Sequence, residues 1–204
     1  MKKVVGILFV ALLVMGFAAT AHAYTFDMGN ASYMTTPTDP GLAIQAEVVS
    51  SVGSQVFDLN EGDSYTFLFA RIWTEESSIQ SDDLIGKTIS ASLDFDNPDL
   101  VEGISGTSSG YTRDGWFFVP LPAYFQGYNI VWTDPVVVSF DNGGEFSIDL
   151  SDVSAESGWW SLPNCKQNVY ATITLNHAPV PVPEPASMAL FGLGLLGVFA
   201  RRKK

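Results

Sequence analysis

The chain has a single cysteine, Cys165, so no disulfide can form within it, and packing and hydrogen bonds must hold the fold. Histidine is nearly as scarce, with only His22 and His177. His22 falls in a leader segment, which leaves too few donors for a zinc site of the usual His and Cys ligands. A Cys165–His177 nucleophile pair has nothing else in the sequence to support it. Basic residues are missing from the middle of the chain. Six of the ten lie near the ends (Lys2, Lys3, Arg201, Arg202, Lys203 and Lys204), and only Arg71, Lys87, Arg113 and Lys166 stand between residues 24 and 183. The same stretch holds 21 of the 22 acids, so four bases against 21 acids give a formal charge of −17. Such a surface repels phosphate backbones and excludes nucleic acid as a partner. It favours solubility and attracts divalent cations or basic partners.

What is present is concentrated in two apolar blocks, residues 4–19 and 186–200. The first follows Lys2-Lys3 and leads to Ala21-His22-Ala23 before Tyr24. A basic start, an apolar centre and a small-x-small site are the three parts of a secretory signal peptide. Residues 1–23 are therefore predicted to be removed by signal peptidase, which reads Ala21 and Ala23. Cleavage after Ala23 makes Tyr24 the mature N-terminus, and no cysteine follows to suggest a lipoprotein.

The second block lies between Pro183-Glu184-Pro185 and Arg201-Arg202-Lys203-Lys204. As a helix its 15 residues reach about 22 Å, short for a bilayer that normally needs about 20 residues. Snorkelling of the basic end and local thinning still permit a span, with the basic end on the cytoplasmic side. Gly192, Gly194 and Gly197 match the spacing of a dinucleotide-binding loop, but no strand, following helix or downstream acid surrounds them. Pro-Glu-Pro, a short apolar helix and a basic cluster, in that order, resemble the PEP-CTERM sorting signal of Gram-negative bacteria. The resemblance covers residues 183–204. It implies recognition of Pro183, Glu184 and Pro185 by an exosortase at the inner membrane, removal of the tail, and delivery to the cell surface or extracellular matrix. It also implies association with exopolysaccharide in a biofilm. Prolines disfavour helix and lack amide donors, so the motif would be extended and accessible. Residues 178–182 read as a Pro-rich stalk.

Residues 24–177 read as one all-β domain. Hydrophobic and polar residues alternate through 88–95, 145–150 and 169–176, the period of a strand with one buried face. Residues 65–73 are apolar on both faces, which predicts a central strand. Further strands are expected at 44–52, 55–59, 116–119, 128–133 and 136–140. Turn chemistry separates them at 60–63, 96–99, 134–135 and 141–144. The expected fold is a single β-sandwich, jelly-roll or immunoglobulin-like, flanked by a signal helix and a C-terminal membrane helix.

Two ligand readings follow from residue type. Asp94, Asp96, Asn97 and Asp99 bring hard oxygen donors together at a strand end, with Asp82 and Asp83 in the loop before, which suits Ca²⁺; the same residues also suit a plain solvated turn. Trp159 and Trp160 offer a sugar platform, with Trp116 and Tyr124 as further aromatic candidates. The preferred reading is a non-enzymatic exported matrix or surface protein. A carbohydrate-binding module, calcium-dependent in one form, is the alternative. A secreted glycosidase is the third reading and needs two carboxylates across a cleft.

Overall fold

The computed structural model describes residues 23–116, 122–133, 135–158 and 166–180. Twelve strands form: β1 (Tyr24–Met28), β2 (Tyr33–Thr35), β3 (Gln45–Val48), β4 (Val56–Leu59), β5 (Ser64–Trp73), β6 (Lys87–Asn97), β7 (Leu100–Trp116), β8 (Pro122–Trp132), β9 (Val136–Phe140), β10 (Gly144–Leu150), β11 (Val153–Gly158) and β12 (Gln167–His177). A 3-10 turn at Val52–Ser54 is the one helical element among the described residues. The expected signal helix and membrane helix lie outside the described residues, and no described helix is long and apolar enough to cross a membrane.

The strands make two antiparallel sheets. One runs β11-β8-β7-β6-β1-β4, with β2 sharing the edge of β6 that β1 also uses; the other runs β3-β5-β12-β10-β9. Outside the β1–β2, β6–β7–β8 and β9–β10 successions, every step of the chain changes sheet, so the two layers are tied together many times. Between them lies one core. Phe26, Phe57 and Phe95 from the first sheet meet Phe67, Phe140 and Phe146 from the second. Phe146 is central: its ring centroid lies 5.2 Å from that of Phe26, 5.3 Å from Phe95 and 5.4 Å from Phe140. These edge-to-face contacts suit the quadrupoles of the rings as well as their area.

The alternating strands behave as their patterns require. Val169, Ala171, Ile173 and Leu175 of β12 are buried, while Asn168 and Tyr170 face out. In β6, Ile89, Ala91, Leu93 and Phe95 point inward. β5 lies inside its sheet, between β3 and β12, but its apolar character on both faces has another cause. Opposite it, Val169 pairs with Ala70 and Tyr170 with Leu68, so Phe69 is an extra residue in a β-bulge. The bulge changes the phase of alternation: Phe67 and Phe69 are buried before it, Ala70 and Ile72 after it.

β7 has almost no strand signature in its Gly- and Ser-rich sequence, yet it is the longest strand. Its small residues make room for large neighbours. A Cβ on Gly106 would stand 2.8 Å from the Trp132 ring, and one on Gly110 would stand 2.6 Å from Ile79. The core beneath β7 is thus filled by β8 and by the loop before β6.

Candidate functional site

Three of the Asp-, Asn- and Gly-rich turns, at 60–63, 96–99 and 141–144, come together at one pole of the sandwich. Antiparallel pairing puts them there, and side chains fasten them. The Tyr24 hydroxyl, on the first residue of β1, donates to Asp141 Oδ2 at 2.8 Å, with Asn97 Oδ1 at 3.2 Å as its other acceptor. Burial and the Asp141 carboxylate hold this phenol well above the ordinary tyrosine range. Asn97 returns a hydrogen bond from its amide to the Thr25 carbonyl. Asp141 at φ 42° and Gly143 at φ 80° supply the left-handed geometry of the β9–β10 turn.

The same pole receives the other end of the domain. Gly62 N–H donates to the Leu175 carbonyl at 2.7 Å. Glu61 Oε1 lies 3.4 Å from His177 Nδ1, and Glu61 Oε2 accepts from Ala178 N–H at 3.4 Å. Val180 is bracketed by Asn142: its N–H donates to the Asn142 carbonyl at 3.0 Å, and Asn142 Nδ2 donates to its carbonyl at 3.2 Å. The chain therefore enters at Tyr24 and leaves at Val180 from one pole, beside one hairpin. An open cleft of about 330 Å³ runs along that hairpin past Asp141, Glu145 and His177.

The anticipated calcium donors are not gathered by this arrangement. Asp94 Oδ2 accepts from Ala31 N–H at 2.8 Å, and Asn97 is used as above. Asp96 and Asp99 are exposed at the β6–β7 turn. Asp82 and Asp83 lie before the far end of β6, where Asp82 Oδ2 accepts from Gly41 N–H and Asp83 Oδ2 from Gln80 N–H. No group of three or more His, Cys, Asp or Glu side chains among the described residues is placed to hold a metal ion. Ala23 is exposed just before β1, while Ala21 lies outside the described residues. Trp159, Trp160 and Cys165 also lie outside them, as do Pro183, Glu184, Pro185, Arg201, Arg202, Lys203 and Lys204.

A cluster with no sequence signature lies in the loop before β6. Asp83 is 3% exposed, and Glu76 is hydrogen-bonded to it. Glu76 Oε1 also accepts from Ala43 N–H at 2.5 Å. Burial, reinforced by Asp83 and Asp39 against the favourable Ala43 bond, pushes the Glu76 carboxyl up.

The chain matches no curated protein and no solved structure. A family model described as the PEP-CTERM protein-sorting motif matches residues 181–204, beginning at the residue after Val180. This motif marks an exported protein that an exosortase processes after transient anchoring in the membrane. Residues 181–204 accordingly carry a PEP-CTERM protein-sorting motif, which follows the β-rich domain directly after Val180, at the pole where β1 also begins.

Proposed function

We propose that this is a non-enzymatic matrix or cell-surface protein, released from a signal peptide at Ala23 and from its tail at or near Pro183-Glu184-Pro185, and associated with exopolysaccharide. The observation that best supports it is the shared pole. A precursor held by a leader and by a tail in the same membrane keeps a folded domain between them only if both connections can reach that membrane. Here Tyr24 and Val180 leave beside the same hairpin. From Val180 to the apolar run at Ala186 there are about six residues, or ~19 Å of extended polyproline-like chain. The pole would thus face the membrane before processing, with the sorting motif just outside the domain.

Replacing Pro183, Glu184 and Pro185 together by alanine in the native host tests the reading. The expected result is a membrane-bound precursor that keeps its tail. Unchanged processing and release would contradict the assignment of the motif residues.

A further inference from the structure

We propose that the outer face of the five-stranded sheet, centred on Arg71, binds an acidic glycan, taking the carboxylate of a uronic-acid residue on the guanidinium and the sugar ring on Tyr170. The proposal rests on the matrix reading above and names the ligand class and the surface.

Arg71 is anomalous for this domain. With 21 acids and four bases between residues 24 and 183, an arginine has carboxylates in excess to pair with. Yet Arg71 is exposed, and among the described residues its guanidinium has no hydrogen-bond or ion-pair partner. Glu47, opposite it on β3, is taken by Lys166 at 2.5 Å. Lys166 and nearby Arg71 together hold the Glu47 carboxyl below its usual range. Lys166 is fixed a second time by its ammonium, 4.3 Å from the centre of the Trp73 ring.

The surroundings of Arg71 suit a sugar. Trp73 lies two residues along β5 on the same face, and Asn168 lies opposite on β12. Asn168 Nδ2 donates to the Tyr170 hydroxyl at 3.3 Å, which orients a ring that is 43% exposed. The face therefore offers an open aromatic platform beside a planar cation that has no partner among the described residues. A guanidinium matches a carboxylate with two parallel hydrogen bonds, and an aromatic ring stacks on the apolar face of a sugar. The sheet is a surface rather than a pocket, so an extended polymer fits it better than a small molecule. The domain's overall negative charge opposes an anionic ligand at long range. Its reach is only about 8 Å at physiological ionic strength, so acids at the pole and on the other sheet are screened from this face; of the acids on the face itself, Glu47 is paired with Lys166 and Asp149 is exposed on β10.

Affinity electrophoresis of the mature protein through gels containing polygalacturonate or a neutral glucan is the test. We expect retardation by polygalacturonate alone, weakened by added salt. Arg71→Ala should reduce it about tenfold, as loss of a charge-assisted hydrogen bond does. Tyr170→Ala should reduce it less, and Lys87→Ala, a cation on the other sheet, should not change it. Equal melting temperatures show that the variants fold. Retention by polygalacturonate that survives Arg71→Ala, or retention by the neutral glucan alone, overturns the Arg71 site and leaves the matrix reading standing. No retention by either polymer overturns the site and counts against polysaccharide association as well.

Discussion

At the pole, charged and polar residues satisfy one another. Tyr24 bonds Asp141, Asn97 bonds Thr25, Glu61 reaches His177 and Ala178, and Asn142 closes on Val180. On the outer face of the five-stranded sheet, Lys166 and Glu47 are paired, but Arg71 beside them has no hydrogen-bond or ion-pair partner among the described residues, and Tyr170 presents its ring to solvent. Similar residue types therefore do two jobs. Where polar groups close on each other, they hold turns and chain ends in place. Where one is left open against its electrostatic interest, it is available to something outside the molecule.

The largest effect that sharpens this contrast belongs to neither region. Phe146→Ala removes the ring on which both sheets converge and should destabilise by about 3–5 kcal/mol, collapsing pole and face together in a single melting transition. Tyr24→Phe is more selective. It deletes the hydroxyl that links two turns and should cost about 1–2 kcal/mol, lowering the melting temperature while leaving glycan retention unchanged. A change in retention would mean that the two regions are coupled. Asn142→Ala should cost less, about 0.5–1.5 kcal/mol at most. Its side-chain bond to the Val180 carbonyl is lost but the backbone bond remains, so proteolysis of the stalk should quicken without much change in melting. Smallest is Lys166→Ala, which breaks a solvent-exposed pair and should leave the melting temperature almost unchanged; its visible effect should be on retention through the freed Glu47.

Acidity gives a separate test of the loop before β6. Because burial raises the Glu76 carboxyl, the folded protein holds that proton to higher pH than the unfolded chain does. The contribution is fully present below the ordinary glutamate range and is lost as pH rises through the raised folded value. Melting temperature should fall across that interval in the native protein, and Glu76→Gln should flatten the fall. An unchanged slope in the variant would place the effect on another group.

Much of the sandwich is legible before any coordinates. The alternation in β6, β10 and β12 survives because each has one buried face. β7 escapes because, beyond Ile104, its inward positions Gly106, Ser108 and Gly110 are small and admit Trp132 and Ile79 from elsewhere. β5 reads correctly as an interior strand, between β3 and β12, although the Phe69 bulge is what makes both of its faces look apolar. The sites divide the same way. The tail is a linear motif, and its match at residues 181–204 agrees with the residue order alone. The donors around Asp94 looked convergent because they are neighbours in sequence, but the loop amide of Ala31 takes that carboxylate. Neither the pole nor the open state of Arg71 has a local signature, since each depends on which distant strands lie side by side.

The central claim, that one pole serves both a removable leader and a removable tail, is tested most directly by intact mass and terminal sequencing of the protein isolated from its native host. We expect a chain that begins at Tyr24 and lacks Arg201-Arg202-Lys203-Lys204, with its end at or near Pro183-Glu184-Pro185. A mature protein that keeps those four basic residues, or that begins upstream of Tyr24, would contradict it.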